Sequence, residues 1–292
     1  MKKIAVVGIP GGWSSEKLAD AVEAKTGFRL LVDMERVRLD LDSCRALYQG
    51  HDLGEMDAII IKKIAPSYTP SVLDRLEILR FVEQRCGVPV FSKASSIMKL
   101  IDRLSCTVGL RNGGMPMPPT VITEDTDAAM EAVEEYGRAV FKPLFSTKAR
   151  GMTVLEPCDE LRENIEDYKA QGNPVMYIQQ MVRHPGLDLG VTFLGGEYLA
   201  TYARQGSGDS WNTTTRAGGK YVAQEPSKEI VDLARAAQDL FDMAFTCVDV
   251  VETPDGPKIY EVSAFGGFRG LLEANRIDAA ARYVDFVLER IP

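Results

Sequence analysis

The sequence has few of the residues that most metal enzymes and nucleophilic hydrolases use. It contains two histidines, His51 and His184, which are too few and too isolated for a zinc site or a Ser-His-Asp triad. Its five cysteines are odd in number and widely spaced, without a C-x-x-C pair. We therefore expect reduced thiols in a cytoplasmic protein rather than a disulfide framework.

Long apolar runs and an excess of positive charge are also missing. No stretch approaches the roughly 18 apolar residues of a membrane span, and MKKIAVVGIPGGW is typical of a first strand and turn rather than a signal peptide. The net charge of −8 disfavours general binding to nucleic acid or to an anionic membrane. The composition thus predicts neither of these partners.

Common nucleotide-binding and hydrolase motifs are absent as well. Residues 8–12 follow a strand and precede a helix, but Pro10 interrupts a G-x-G-x-x-G pattern, so a plain tight turn is the favoured interpretation. Gly219-Lys220 lacks the upstream glycine of a Walker A box, and no G-x-S-x-G or H-E-x-x-H occurs. An NAD-dependent oxidoreductase is an alternative that the missing glycine pattern disfavours.

The secondary-structure pattern divides the chain into three parts. Residues 1–95 alternate strand and helix signals, which predicts a small open α/β sheet. A single helix over 97–112 and the linker MPMPPT belong to a second part, 96–174, which is a small α+β lobe. Residues 175–292 are rich in strands, which predicts a larger antiparallel lobe. The predicted class is therefore α/β and α+β.

The stretch DVVETPDGPKIYEVSAFGG places one acid inside each of two apolar runs that flank a Pro-Asp-Gly turn. Counting outward from the turn pairs Val250 with Tyr260 and Asp249 with Glu261. Two carboxylates about 4 Å apart repel by roughly 4 kcal/mol in a protein-like medium, and a divalent cation would turn this repulsion into attraction. The alternative is a one-residue slip that leaves both acids facing water.

Two further stretches could contact an anionic ligand. Lys142 lies among apolar strand residues, where burying a lysine is unfavourable unless it meets an anion, and the short basic loop 145–151 follows it. The alternative is a solvated edge lysine beside a mobile hairpin. Arg204, Asn212 and Arg216 lie in ARQGSGDSWNTTTRAGG among small polar residues, and arginine binds phosphate or carboxylate in a bidentate manner. A disordered loop is the alternative there.

The strand YIQQMV could lie along a flat ligand, since a strand that ends beside such a ligand offers backbone donors and acceptors. Asp188 follows a few residues later and could accept a hydrogen bond from a ribose hydroxyl. A surface turn is the favoured interpretation of this segment when it is considered alone.

Taken in chain order, these features resemble the ATP-grasp superfamily and, within it, the RimK-like amino-acid ligases. The resemblance covers nearly the whole chain and includes WSSEKL, MDAIIIKKI and the segment GVPVFSKASSIMKLIDRLSCTVGLRNGGMPMPPT. It implies an ATP-grasp fold with an N-terminal pre-ATP-grasp α/β domain. The implied ATP contacts are Arg103, Lys142, the loop residues Ser146, Thr147, Lys148 and Gly151, the hinge residues Gln179, Gln180, Met181 and Val182, and the ribose-binding Asp188. The implied catalytic residues are Arg204, Asn212 and Arg216, and the implied metal ligands are Asp249, Glu261 and Ser263.

The sequence departs from the family pattern at four of these positions. Arg103 stands where the family usually has lysine, and Gln180 where the hinge usually has glutamate. Gly190 stands where arginine is frequent, and Ser263 replaces the asparagine of Glu-x-Asn. Serine offers a neutral oxygen with a shorter reach than asparagine, which leaves open whether one or two metal ions bind.

The resemblance implies ATP-dependent ligation of a carboxylate to an amine through an acyl phosphate, with Mg²⁺, or Mn²⁺ in its place, as the metal. The implied partners are ATP, a carboxylate of a peptide, protein or cofactor, and an amino acid such as glutamate, with a homo-oligomer as a further expectation. Lys63 and the turn 11–14 are candidates for facing the acceptor. The alternative is an ATP-binding regulatory protein that keeps the fold and has impaired catalysis.

Overall fold

The computed structural model describes residues 1–147, 149–183, 185–206, 213 and 218–292. The N-terminal domain is built on a four-stranded parallel sheet in the order β2-β1-β6-β7, beside a small antiparallel sheet, β3-β4-β5. Its elements are β1 (Ile4–Val7), α1 (Trp13–Thr26), β2 (Leu30–Val32), β3 (Arg38–Asp40), β4 (Arg45–Tyr48), β5 (His51–Asp52), β6 (Ala58–Ile61), α2 (Ser71–Cys86) and β7 (Val90–Phe91).

The parallel sheet is covered on both faces, which explains the continuous apolar runs of β1 and β6. Ile4 and Ile60 pack with Leu18 of α1, whereas Val7 and Ile59 belong to the core cluster on the other face. The predicted α/β sheet and its four strands are confirmed. The small sheet β3-β4-β5 was not predicted.

The middle of the chain begins with two helices instead of the single predicted one. Asp102 is extended, with φ −92° and ψ 121°, and its carboxylate accepts hydrogen bonds from Leu104 N–H at 3.2 Å and Ser105 N–H at 3.3 Å. This N-cap interrupts the helical backbone, so the prediction of one continuous helix is wrong. The two helices are α3 (Ala94–Ile101) and α4 (Arg103–Asn112).

An antiparallel sheet of order β10-β9-β11-β8 follows these helices. Its elements are β8 (Thr120–Thr123), α5 (Thr126–Tyr136), β9 (Ala139–Lys142), β10 (Thr153–Leu155), α6 (Leu161–Ala170) and β11 (Met176–Gln180). β11 lies between β8 and β9 and pairs with both. The chain leaves this sheet where β11 ends, at Gln180. β8 was not predicted, and the division of the chain at 174/175 stays a prediction.

The C-terminal part forms a five-stranded antiparallel sheet of order β14-β13-β12-β15-β16. Its elements are β12 (Leu187–Leu194), β13 (Glu197–Gln205), β14 (Lys220–Ala223), α7 (Lys228–Asp239), β15 (Phe245–Thr253), β16 (Gly256–Val262), α8 (Phe268–Asn275) and α9 (Ala279–Leu288). β14 and α8 were not predicted. α7 lies against β15, α8 against β13, and α9 against α1 of the N-terminal domain.

The largest core cluster joins the N-terminal sheet to the large antiparallel sheet, since it contains Val7 and Ile59 together with Val191 and Val248. The helices that surround it are short, and α2 with 16 residues is the longest of those described. None of the described helices has both the length and the apolar content to cross a bilayer.

Gly190 of β12 lies directly opposite Tyr202 of β13. A Cβ atom at position 190 would lie 2.6 Å from Cζ of the Tyr202 ring, and one at Gly270 of α8 would lie 2.7 Å from the same ring. The ring is buried and fills the space between both backbones. The glycine at position 190 is therefore a packing requirement of Tyr202.

We expect Gly190→Ala to lower the free energy of unfolding by about 1–3 kcal/mol, because the added methyl group overpacks the contact with Tyr202. Thermal denaturation followed by circular dichroism should show a Tm several degrees lower. In the background of Tyr202→Leu the same glycine change should have a smaller effect. An equal loss in both backgrounds would show that the clash with the ring is not the cause.

Candidate active site

A cavity of about 600 Å³ lies where the N-terminal sheet, the helices α3 and α4 and the two antiparallel sheets meet. Of the predicted site residues that the structure describes, those that line it are Arg103, Lys142, Ser146, Thr147, Gln179, Gln180, Met181, Val182, Asp188, Arg204, Asp249, Glu261 and Ser263. Gly151 lies outside the cavity wall, and Lys148, Asn212 and Arg216 lie outside the described residues. Residues from distant parts of the chain thus converge on one site.

The hairpin of β15 and β16 places Asp249 opposite Glu261, as predicted. The pairing nearer the turn differs, because Val250 lies opposite Ile259 and the register shifts between Asp249 and Val250. Tyr260 is the extra residue of this β-bulge, so the predicted pairing of Val250 with Tyr260 is wrong. The bulge restores the acid pair and turns Tyr260 towards the cavity that it lines.

Two arginines neutralise the acids of this hairpin. Arg204 Nη2 lies 2.9 Å from Asp249 Oδ1, and its Nε donates to Asp188 Oδ2 at 2.8 Å. Arg103 Nη1 donates to Glu261 Oε2 at 3.0 Å, and its Nε donates to the carbonyl of Pro143 at 3.2 Å. Because Arg204 is only 19% exposed and bridges two carboxylates, it fixes the geometry of both.

The surroundings of Asp249 disfavour its ionised carboxylate, even though Arg204 lies beside it. Burial raises the pKa of the Asp249 carboxyl above its usual range; Arg204 opposes this shift, and the charges of Glu261 and Asp188 add to it. Its side chain is 14% exposed, whereas that of Glu261 is 40% exposed. A cation bound between the two acids would offset their repulsion and stabilise the ionised form of Asp249.

The donor set of Asp249, Glu261 and Ser263 fits a hard divalent cation. Mg²⁺ is commonly held by one or two carboxylates together with substrate phosphates, and a hydroxyl oxygen is a compatible further ligand. Ser263 N–H donates to the carbonyl of Cys247 at 2.8 Å, which places Ser263 beside β15 and on the cavity wall. Among the described residues, no group of three or more His, Cys, Asp and Glu side chains could hold a metal without a substrate.

Lys142 lies at the end of β9 and donates to Gln179 Oε1. Gln179 Nε2 donates in turn to Thr120 Oγ1 at 3.1 Å and to Tyr177 OH at 3.2 Å, which orients the amide with its oxygen towards the lysine. Burial lowers the pKa of the Lys142 ammonium to about 7; Arg103 adds to this shift, and the acids Glu261 and Asp249 oppose it. The surroundings of Lys142 therefore favour the arrival of an anion.

The hinge segment after β11 uses part of its backbone for structure. Gln180 N–H donates to the carbonyl of Pro119, and Met181 N–H donates to the carbonyl of Arg138, both at 2.9 Å. Val182 N–H has no hydrogen-bond partner within the part of the chain that the structure describes. Its N–H and the carbonyls of the segment are the groups that can face a ligand.

The basic loop between β9 and β10 is compact where it is described. Ser146 Oγ donates to the carbonyl of Arg150 at 2.6 Å, and Arg150 N–H donates to the carbonyl of Thr147 at 3.3 Å. Ala149 and Gly151 have φ of 54° and 68°. A Cβ atom at Gly151 would lie 3.1 Å from Cγ of Pro143, so this glycine allows the loop to fold back over the end of β9.

Asp188 is already engaged by protein groups. Both Nε and Nη2 of Arg204 donate to its Oδ2, and Thr213 Oγ1 donates to its Oδ1. A ribose hydroxyl at this carboxylate would share Oδ1 with Thr213 or displace it. Asp188 lines the cavity, its contact with a ribose stays a prediction, and the bond from Thr213 was not revealed by the sequence.

Sequence reasoning missed several groups in the cavity or next to it. Tyr177 and Thr107, whose hydroxyls are 3.0 Å apart, support Gln179. Lys62 is a buried lysine at the end of β6, and Tyr260 enters through the bulge. The paired lysines in IIIKKI were a detectable signal for Lys62; the bulge and the tyrosine contact depend on tertiary pairing and had no local signal.

Comparison with known proteins identifies the family. Residues 101–287 match the family model described as the RimK-like ATP-grasp domain. The chain is 25% identical to the tetrahydromethanopterin:alpha-L-glutamate ligase of Methanosarcina acetivorans, with 98% of this chain and 99% of the relative covered. It is 23% identical to the glutamate–LysW ligase ArgX of Sulfurisphaera tokodaii, with 81% and 83% covered.

Solved structures show the same fold. The ATP-grasp ligase PsnB, complexed with a phosphomimetic variant of its minimal precursor, Mg and ADP, has a TM-score of 0.77 at 20% identity, with 99% of this chain and 98% of that chain covered. The RimK domain protein ATP-grasp from Sphaerobacter thermophilus has a TM-score of 0.73 at 20% identity, with 98% and 99% covered. The predicted fold class is therefore confirmed.

The family model covers more than half of the chain, and the relatives match it over most of their length. The chain belongs to the RimK-like ATP-grasp family, and the ATP-grasp ligase predicted from its sequence is confirmed.

Proposed function

We propose that this protein uses ATP and Mg²⁺ to join a substrate carboxylate to the amine of an amino acid such as glutamate, through an acyl phosphate. The observation that carries the proposal is the acid pair Asp249–Glu261, held by Arg204 and Arg103 on the wall of one cavity. Such a cluster suits phosphoryl transfer, in which catalysis is mostly positioning and stabilisation of charge.

The nucleotide would lie along the hinge and reach towards the acid hairpin. Val182 N–H and the hinge carbonyls would face the adenine, and Asp188 the ribose. Lys142 and Arg103, which both line the cavity, would contact the phosphates. The described loop residues Ser146 and Thr147 would cover them, together with Lys148.

Asp249, Glu261 and Ser263 would hold the Mg²⁺ ion, for which Mn²⁺ could substitute. When bound, the metal supplies positive charge to the phosphate oxygens. For this to happen Glu261 must share its contact with Arg103, and Asp249 its contact with Arg204. Both arginines would stay close enough to stabilise the negative charge that develops during transfer.

The protein residues have distinct tasks in the two chemical steps. The carboxylate of the acid substrate attacks the terminal phosphate of ATP, which releases ADP and leaves the acyl phosphate. The amine then attacks the acyl carbon and expels phosphate, which leaves the amide. Arg204 would orient the acyl phosphate, with Asn212 and Arg216 as further catalytic residues, and the loop over β9 would exclude water that competes with the amine.

The names of the relatives support glutamate as the amine. One is called a tetrahydromethanopterin:alpha-L-glutamate ligase, another a glutamate–LysW ligase, and PsnB was solved with a precursor peptide. The acids of these proteins differ in kind, so we propose for this chain a carboxylate of a peptide, a protein or a cofactor. Gly190 stands where the family often has arginine, but this departure does not favour the regulatory alternative. The packing of Tyr202 against the backbone at position 190 explains why a glycine is present there.

Calorimetric titration of ATP tests the acid pair. We expect wild-type protein to bind ATP with Mg²⁺ and to lose at least tenfold in affinity with EDTA, and Glu261→Ala to remove this dependence on Mg²⁺ because it removes a metal ligand. Glu252→Ala is the matched control, since Glu252 is an exposed acid of the same hairpin, and it should behave as wild type.

The titration, together with an assay of ADP formation, decides between the candidate functions. Absence of ATP binding under all conditions would contradict the proposal. ATP binding without ADP formation in any mixture of carboxylic acids and amines would support the regulatory alternative instead. Formation of ADP that requires both an acid and an amine would exclude that alternative.

The lowered pKa of Lys142 gives a second test. Near pH 8 this lysine is largely neutral in the free protein, because its pKa of about 7 lies below the pH. A bound phosphate would raise that pKa again, so Lys142 should take up a proton as ATP binds, and its contribution to ATP affinity should fall as the pH rises through about 7 to 9. Titrations in two buffers of different ionisation enthalpy measure this uptake.

Lys142→Met should remove this contribution to proton uptake and lower ATP affinity about tenfold or more, as expected for loss of a charge-assisted hydrogen bond. Lys228→Met is the control, since Lys228 is 88% exposed and pairs with Asp232 at the surface. Unchanged proton uptake in Lys142→Met would show that this lysine does not contact the phosphates.

A further inference from the structure

Lys62 is a buried cation that none of the roles above uses. It follows β6 directly and is 2% exposed, yet it lines the cavity. Its Nζ donates to the carbonyl of Gly266, and it lies 3.8 Å from the centre of the Phe268 ring and 5.6 Å from that of Phe245. An ammonium has three donors, and a single carbonyl satisfies one of them.

No carboxylate among the described residues pairs with Lys62. The charges that act on it are those of Lys63, which disfavours its protonation, and Cys247, which favours it. Burial, the larger cause, lowers the pKa of the Lys62 ammonium well below its usual value. A lysine is rarely buried without a partner, because desolvation of the charge is unfavourable. The two phenylalanine rings offset only part of this loss.

The position of Lys62 separates it from the nucleotide contacts. Gly266 belongs to the loop that follows β16 and also carries Ser263, so Lys62 touches the segment next to the metal ligands. Cys247, which acts on Lys62, lies with its Sγ 3.7 Å from Asp249 Oδ1. Lys142 and the hinge lie on a different sheet. Lys62 thus lies on the cavity wall beside the loop that carries Ser263, and on a different sheet from Lys142 and the hinge.

We propose that Lys62 binds the α-carboxylate of the acceptor amino acid and so selects an acceptor with a free carboxylate beside its amine. The proposal rests on the proposed function, because it needs an amine to reach an acyl phosphate held near Asp249 and Glu261. An amine that attacks there keeps its α-carboxylate within the same end of the cavity. That carboxylate supplies the counter-charge that the surroundings of Lys62 lack.

The carbonyl of Gly266 stays hydrogen-bonded in this arrangement, and the carboxylate takes the remaining donors of the ammonium. The competing interpretation is structural: Lys62 would only tie the Gly266 loop to β6. The two interpretations predict different effects when the charge of Lys62 is removed. A role in binding weakens only ligands that carry an α-carboxylate, whereas a structural role weakens all ligands of the cavity.

Calorimetry on protein saturated with ADP and Mg²⁺ distinguishes them. The probes are L-glutamate, L-glutamine, which lacks the side-chain carboxylate, and L-isoglutamine, which lacks the α-carboxylate. We expect Lys62→Met to weaken binding of L-glutamate and L-glutamine about tenfold to a hundredfold, the range of a charge-assisted hydrogen bond. Binding of L-isoglutamine should be weak in wild type and unchanged in the variant.

Two control variants accompany the experiment. Lys62→Arg keeps the charge and should retain most of the L-glutamate affinity. Lys93→Met removes an exposed lysine that pairs with Asp242 at 2.8 Å outside the cavity, and it should bind all three probes as wild type does. ATP affinity and Tm are measured for each variant, since a purely structural role of Lys62 would change them.

Each other outcome overturns the proposal. Unchanged L-glutamate binding in Lys62→Met excludes a role of this lysine, and an equal loss for all three probes or for ATP indicates the structural role. Loss of L-glutamate and L-isoglutamine binding with unchanged L-glutamine assigns Lys62 to the side-chain carboxylate instead. Wild-type protein that binds ATP but none of the probes contradicts this proposal and leaves the proposed function standing, whereas failure to bind ATP contradicts the proposed function itself.

Discussion

Two carboxylates that face each other across a β-hairpin are the constraint on which the rest of the cavity depends. Asp249 and Glu261 would repel by roughly 4 kcal/mol at about 4 Å if nothing neutralised them, and Asp249 is largely buried. Arginines from two other parts of the chain neutralise the acids: Arg204 from β13 pairs with Asp249, and Arg103 from the start of α4 pairs with Glu261. The acid pair therefore needs the large sheet and the linker helix to be in place together.

Asp102 makes the position of Arg103 possible. Asp102 caps α4 directly after α3 ends at Ile101, so the chain turns and Arg103 enters the cavity from the first turn of the new helix. Arg103 N–H also donates to the carbonyl of Leu144 at 3.0 Å, which ties the helix to the end of β9. A continuous helix would point this side chain in another direction.

Much of this organisation can be predicted from the sequence, because it depends on local pattern. Counting outward from the turn predicts the acid pair, although the structure reaches that pairing only through the bulge, and the buried runs of β1 and β6 follow from their composition. The bulge at Tyr260 cannot be found that way, because it shifts the register without any local signal. The short strands β3, β4 and β5 contain charged residues and lack a clear alternation, so tertiary pairing decides them.

The arginines and the lysines of the cavity have different electrostatic roles. Arg103 and Arg204 hold fixed hydrogen bonds to carboxylates, as their planar guanidinium groups allow. Lys62 and Lys142 are buried against carbonyl or amide oxygens and aromatic rings, and burial lowers the pKa of both. The arginines thus stabilise the acids of the free protein, whereas neither lysine pairs with a carboxylate among the described residues, so an incoming anion would favour the charged form of each lysine. Lys142 donates to Gln179 of β11 and Lys62 to the carbonyl of Gly266, so the two lysines reach the cavity from different elements, and the sites proposed for the nucleotide phosphates and for the acceptor carboxylate are separate.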